Sequence, residues 1–207
     1  HADLAPPNTL SRNPHFESTL ASNAAISNDQ RVFPIRMNTG VNRGYRPGVL
    51  DESGKLIEFA SACSPLIYRG DLFPDEFRGN AFVCAPGANT VKRNLVSIDG
   101  LHVSASNGYP DHDFLASTDE RFRPVALNDG PDGALYVVDM YRGIIQQAEF
   151  MTSFLKEESI ERNLAAPINL GRIYRVLPER ANPDYAMSFP DSPAIWVSLL
   201  EHPSGWW

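Results

Sequence analysis

The sequence predicts a mainly β chain: about two blades of a β-propeller, a helical insertion, and the first helix of an α-helical domain. Three observations carry this. Short apolar segments alternate with Gly/Asp/Pro turns, the sign of an all-β sandwich, barrel or propeller. An imperfect repeat aligns Gly79-Asn80-Ala81-Phe82-Val83-Cys84 with Gly133-Ala134-Leu135-Tyr136-Val137-Val138, each copy preceded by a Pro-Asp pair (Pro74-Asp75, Pro131-Asp132). Repeats of roughly 40–50 residues built from four short strands are the propeller pattern. Third, helical spacing occurs only in two late stretches.

Residues 1–34 are polar and rich in Asn, Ser and Pro, which predicts a surface loop with a short strand at 32–35. The stretch from Asn38 to Gly48 holds three glycines and Pro47, the composition of a structured loop. The turn Asp51-Glu52-Ser53-Gly54 introduces a strand at 55–60. Further strands are expected at 64–69, 80–84, 89–98, 101–106, 124–128, 134–138 and 171–177. Phe150, Met151, Phe154, Leu155 and Ile160, with charges between them, predict a helix over 149–163 that Pro167 terminates. The division is a β region over 1–178, a polar linker over 179–190, and a helical start over 191–207. There Asp191 or Ser192 caps, Pro193 opens the helix, and Ile195, Trp196, Leu199 and Leu200 form one face.

Composition narrows the partners. The 207 residues carry a net charge of -7 and a pI of about 5.2. That is no electrostatic footprint for nucleic acid. The longest apolar runs are too short to span a bilayer, and no polybasic amphipathic helix suggests a membrane surface. Hydrophobic residues at 43% and charged residues at 21% fit a globular chain. The start at His1 and the end at Trp207 lead us to expect a segment of a larger protein, only marginally stable and inactive as a dehydrogenase on its own. Cys63 and Cys84 form neither CxxC nor CxxCH, so neither zinc nor covalent haem is read here. They are two buried small hydrophobes, or a disulfide between neighbouring strands if the protein is exported.

The run Phe114-Leu115-Ala116-Ser117-Thr118-Asp119-Glu120-Arg121-Phe122-Arg123-Pro124-Val125, with Gly130-Pro131-Asp132-Gly133-Ala134-Leu135-Tyr136-Val137-Val138-Asp139-Met140-Tyr141-Arg142-Gly143-Ile144-Ile145-Gln146, carries a resemblance. It is similar to large exported membrane-bound dehydrogenases of planctomycete-type bacteria. These join a six-bladed propeller of the glucose/sorbosone-dehydrogenase type to HEAT-like repeats and a c-type cytochrome domain. The 38–48 loop, Tyr68-Arg69-Gly70-Asp71, Arg78-Gly79-Asn80 with Asn89, Leu170-Gly171-Arg172-Ile173-Tyr174-Arg175 and the 199–207 tail also resemble that family. The resemblance covers about residues 30–207. It implies a periplasmic or extracellular protein that oxidises a sugar or alcohol. Its cofactors would be pyrroloquinoline quinone (PQQ) and calcium, with electrons passing to haem c in a domain outside this chain. The remaining blades and repeats would be its partners. It also leaves a non-catalytic propeller scaffold for a glycan or protein as the alternative. A calcium-dependent lactonase-like hydrolase would need clustered carboxylates that the sequence does not display.

The expected catalytic His cannot be matched to His1, His15, His102, His112 or His202, all in loop-like or terminal contexts. Two groups are candidates for binding a cofactor. Asn42, Arg43, Tyr45 and Arg46 sit in the glycine-rich loop, where arginines either pair with carboxylates or brace the loop. Arg121, Arg123, Asp139, Tyr141 and Arg142 flank the clearest buried strand. There Asp139 reaches a channel, binds calcium, or makes a structural Asp–Arg bridge between blades. Asp129 and Asp132 lack the spacing of a calcium loop and read as a β-turn.

Overall fold

The computed structural model describes residues 26–27, 29–38, 41, 47–100, 102–181 and 189–207. The fold is mainly β, with two antiparallel sheets and few helices. The first sheet is a meander of β1 (Cys63–Ile67), β2 (Ala81–Ala85), β3 (Thr90–Asp99) and β4 (His102–Asn107), in that spatial order. The two-residue strand β5 (Leu115–Ala116) pairs with Thr90 and Val91 of β3. The second sheet is β6 (Pro124–Asp129), β7 (Leu135–Asp139) and β8 (Arg172–Val176), again in sequence order.

Alternation sets which residues meet between the sheets. In β2, Phe82 and Cys84 are buried; in β7, Leu135, Val137 and Asp139 are. Phe82, Cys84 and Val91 of the first sheet join Leu127, Leu135 and Val137 of the second in one core with Tyr68 and Phe122. β6 is the strand that packs on β1 and β2. Edge-to-face rings seal one side: Phe82 lies 4.9 Å from Phe114, and Tyr68 5.1 Å from Phe73. A smaller core of Val32, Leu56, Ala85 and Ala88 fastens the preceding segment to the β2–β3 hairpin.

Several expectations change in detail. The strand expected at 55–60 is reduced to isolated bridges, Leu50↔Leu56 and Arg31↔Glu58. The Asp51 carboxylate accepts the N–H groups of both Ser53 and Lys55, which folds that stretch into a tight turn instead of a ladder. At 32–35 only Arg31, just before it, makes a bridge. The helix expected over 149–163 is a 3-10 turn (Ala148–Phe150) followed by α1 (Ser153–Glu161), capped by the Thr152 hydroxyl on Leu155 N–H. Its apolar face is narrow: Leu155 is buried while Phe150 and Ile160 are exposed.

The tail begins as expected, with Ser192 as N-cap and Pro193 first in α2 (Pro193–Ser198). The expected face does not bury, since Ile195, Trp196 and Leu200 are exposed. Phe189, Trp196, Trp206 and Trp207 gather instead into one aromatic cluster. Gly205 N–H donates to Arg69 O at 2.8 Å and the Trp207 indole to Pro131 O at 3.0 Å. The terminal aromatics therefore find partners within the chain. Cys63 and Cys84 are free thiols that face one another across the β1–β2 ladder. No helix among the described residues is long and apolar enough to cross a membrane.

Candidate functional site

One end of the two sheets concentrates charge. The β2–β3 turn, the run into β6, the exit of β7 and the entry of β8 all meet there. Arg123, immediately before β6, is 1% exposed. Its guanidinium donates to Pro86 O (2.6 Å), Arg142 O (2.9 Å) and Gly143 O (2.9 Å), with Gly87 O at 3.5 Å. Burial pulls its pKa down to about 10, still protonated at neutral pH. The side chain is a clamp. It joins a turn of the first sheet to the segment leaving the second.

Asp139 closes β7, and its Oδ1 accepts Arg123 N–H and Tyr141 N–H, both at 2.8 Å. Oδ2 faces Arg172 Nε at 3.3 Å. The Arg172 guanidinium in turn lies 3.6 Å over the Tyr141 ring. Tyr141 has φ +50, a left-handed conformation unusual for its type, which turns the chain sharply out of β7. Arg121 donates from Nη2 to Asn163 O and Ala166 O, both at 3.0 Å, holding the segment after α1. Asp139 Oδ1 is satisfied by backbone amides, whereas Oδ2 is buried beside the Arg172 charge without a hydrogen-bond partner among the described residues. Arg142 differs from these. Its guanidinium makes no hydrogen bond or ion pair among the described residues, and it lines a cleft of about 390 Å³ with Met140, Ile144, Ile145, Gln146 and Asn169. Asn42, Arg43, Tyr45 and Arg46 lie outside the described residues.

Sequence reasoning gave Asn89 only as part of the resemblance and missed the layer it builds behind this clamp. Asn89, fully buried with φ +59, donates to Glu120 O (3.2 Å) and Phe122 O (2.6 Å). Its Oδ1 accepts from Asn38, whose own Oδ1 takes Leu56 N–H at 2.9 Å. Glu120 pairs with Arg36 at 3.3 Å and, more closely, with Arg162. Burial depresses the Arg36 pKa despite Glu120 beside it. The signal available was Asn89 itself, a turn residue that tolerates positive φ.

A second feature is an open cleft of about 1180 Å³ lined by the segments 29–35, 55–58 and 111–112. Arg31, Phe33, Ile35, Ile57 and His112 contribute to its wall. The His112 ring stacks on Tyr109 at 4.3 Å, and its Nδ1 is 2.8 Å from Asp111. Beside it, Asp113 accepts Phe33 N–H at 2.9 Å, and burial raises its carboxyl pKa.

A family model described as "Domain of unknown function (DUF7133)" matches residues 2–180. The chain belongs to the DUF7133 family. The matched span takes in both sheets, the Arg123 clamp and the large cleft, so those are features of the DUF7133 domain. No curated protein and no solved structure matches the chain.

Proposed function

We propose that this DUF7133 chain is a two-blade segment of an exported six-bladed propeller of the glucose/sorbosone-dehydrogenase-like type. In the longer protein the propeller oxidises a sugar or alcohol with PQQ and calcium, and passes electrons to a fused c-type haem domain. Its partners are the other blades and HEAT-like helical repeats of the same chain, and its location is periplasmic or extracellular. The observation that supports this reading is topology. The four-stranded meander β1–β4 is followed by the meander β6–β8, and the first strand of the second sheet packs on β1 and β2 of the first. Successive blades of a propeller stack in this way.

Within that reading the segment is a frame. Calcium takes six to eight oxygen ligands. Asp139 commits Oδ1 to the Arg123 and Tyr141 amides, while its buried Oδ2 has only the Arg172 charge at 3.3 Å and no hydrogen-bond partner among the described residues. Among the described residues no three His, Cys, Asp or Glu side chains gather into a metal site. These residues do not fit calcium. For a tricarboxylate quinone, Arg142 offers one open guanidinium, and one does not make the site. The reactive centre is assigned to the rest of the propeller. The test is to load the full-length protein with PQQ and calcium and assay dye-linked oxidation of aldoses and primary alcohols. Turnover that needs both additions supports the reading; no turnover together with no calorimetric PQQ binding overturns it.

The large cleft favours a second reading, a non-catalytic scaffold. The His112 ring in its wall, stacked on Tyr109 behind it, and the charged neighbours Arg31 and Asp111 suit a glycan or a protein partner. Binding of the full-length protein to a glycan array, abolished by His112→Ala, with no oxidase turnover, is the outcome this reading expects.

A further inference from the structure

We propose that Cys63 and Cys84 are the site of an intrachain disulfide, closed while the chain folds in an oxidising compartment and tying β1 to β2. The proposal needs that compartment but not the catalytic reading above. The geometry comes from register. Cys63 and Cys84 are direct Cα partners in the antiparallel β1–β2 ladder. Residues so placed lie about 4.5–5.5 Å apart at Cα, within the 4.4–6.8 Å a disulfide spans. Closing the bond therefore asks for no movement of one strand past the other.

A local irregularity also sets the pair. Ser64 has φ +49, and the register slips between Cys63 and Leu66. Cys63 thereby packs against the core that contains Cys84, which is fully buried. The nearest oxygen bonded by Cys63 Sγ is Pro124 O, at 3.9 Å. Pro124 opens β6, so the second sheet closes over the thiol pair.

That cover dictates the order of events. Burial raises both thiol pKa values, Cys84 to about 12. A thiol held protonated is a poor nucleophile toward a disulfide. The folded, reduced protein is therefore slow to oxidise, and the bond closes before β6 docks. The chemistry is two successive exchanges with a small-molecule disulfide such as oxidised glutathione. One protein thiolate attacks it and releases a glutathione thiolate. The second protein thiolate attacks the mixed disulfide and releases the other. Two S–H bonds are lost and one S–S bond forms. Two electrons pass to the oxidant, which leaves as two reduced glutathione molecules.

The test uses the full chain refolded from denaturant in a glutathione redox buffer, then quenched with iodoacetamide under denaturing conditions and weighed intact. The expected product is monomeric, takes up no alkyl group, and is two hydrogens lighter than the reduced chain. Its Tm should exceed that of the same protein kept reduced by roughly 5–10 °C. Protein folded first in reductant and only then given oxidised glutathione should oxidise at least tenfold more slowly. Two alkyl groups on most oxidatively refolded molecules would overturn the proposal, as would an intermolecular bridge or equal rates in the two orders of addition. The double variant Cys63→Ser with Cys84→Ser should lose the redox dependence of Tm. If that variant does not fold, the alkylation count of the unaltered chain still decides.

Discussion

The two copies of the repeat become equivalent strands with different neighbours. Gly79 to Cys84 leads into β2 and Gly133 to Val138 into β7, each the second strand of its sheet. Both glycines have strongly positive φ, +79 and +74. Around Gly79 the space is open. A side chain at Gly133 would meet Asp71 Oδ1 at 2.3 Å and Leu72 N at 2.8 Å. Gly133 O also accepts the Tyr68 hydroxyl, which itself accepts Phe73 N–H at 3.1 Å. The second turn is thus seated in the segment that follows β1, whereas a side chain added at Gly79 would meet nothing within 4 Å. The exits differ too. After Ala85 the first copy turns at once into β3, while Asp139 launches a long excursion before β8. The same local pattern gives the same strand; what it touches is decided by its place in the stack.

The largest expected effect lies at the exit that distinguishes the second copy. Arg123→Met removes the donors to the carbonyls of Pro86, Arg142 and Gly143 and leaves them buried. Unpaired buried groups of this kind cost about 3–5 kcal/mol together. Urea unfolding should show that loss, with Arg123→Lys recovering part of it. A loss below about 1 kcal/mol would mean that the clamp does not hold the sheets together.

The glycine pair is the direct contrast. Gly79→Ala should cost about 1 kcal/mol, the penalty for a left-handed residue with a side chain. Gly133→Ala adds a clash with the backbone of Leu72, and about 3 kcal/mol is expected. Equal Tm shifts for the two variants would erase the distinction drawn between the turns.

This contrast also marks what the sequence makes legible. The strands expected at 80–84, 89–98 and 134–138 lie within one residue of β2, β3 and β7, because period-two alternation and Gly turns are local signals. The two-residue β5 leaves no such signal; it exists because Leu115 and Ala116 fall beside Thr90 and Val91. The site was legible only as residue types. Arg123 and Asp139 were singled out, yet their partners Pro86 and Gly143 are set by tertiary packing, and Asn38 meets Asn89 across 51 positions. Apolar spacing near 149–163 signalled a helix but not which face would be covered. Phe150 and Ile160 remain exposed, while Leu155 and Ser159 are the buried positions of α1.

The smallest effect concerns how the segment before the first sheet is tied to that sheet. Buried Lys92 on β3 donates to the carbonyls of Asp29 and Arg31. The Asp29 carboxylate accepts Asn107 of β4 at 2.6 Å and is held by Arg31 at 2.6 and 2.9 Å. The Arg31 side-chain bond, outweighing desolvation, holds the Asp29 carboxyl well below the usual carboxylate range. The unfolded chain takes up this proton near pH 4, and the folded chain only at lower pH. Between those points the unfolded state binds more protons, so folding stability falls as pH falls through the window. Above pH 5 the contribution is fully present. Asp29→Asn removes this slope while keeping an oxygen toward Asn107. Since Arg31 is exposed to solvent, the expected gain is under about 1 kcal/mol. Tm measured from pH 6 to pH 3 should drop more steeply for the unaltered chain than for Asp29→Asn, with the two curves converging in acid. Parallel curves would mean that the segment before the first sheet is not held by this carboxylate but by its Val32–Leu56 core and by Lys92.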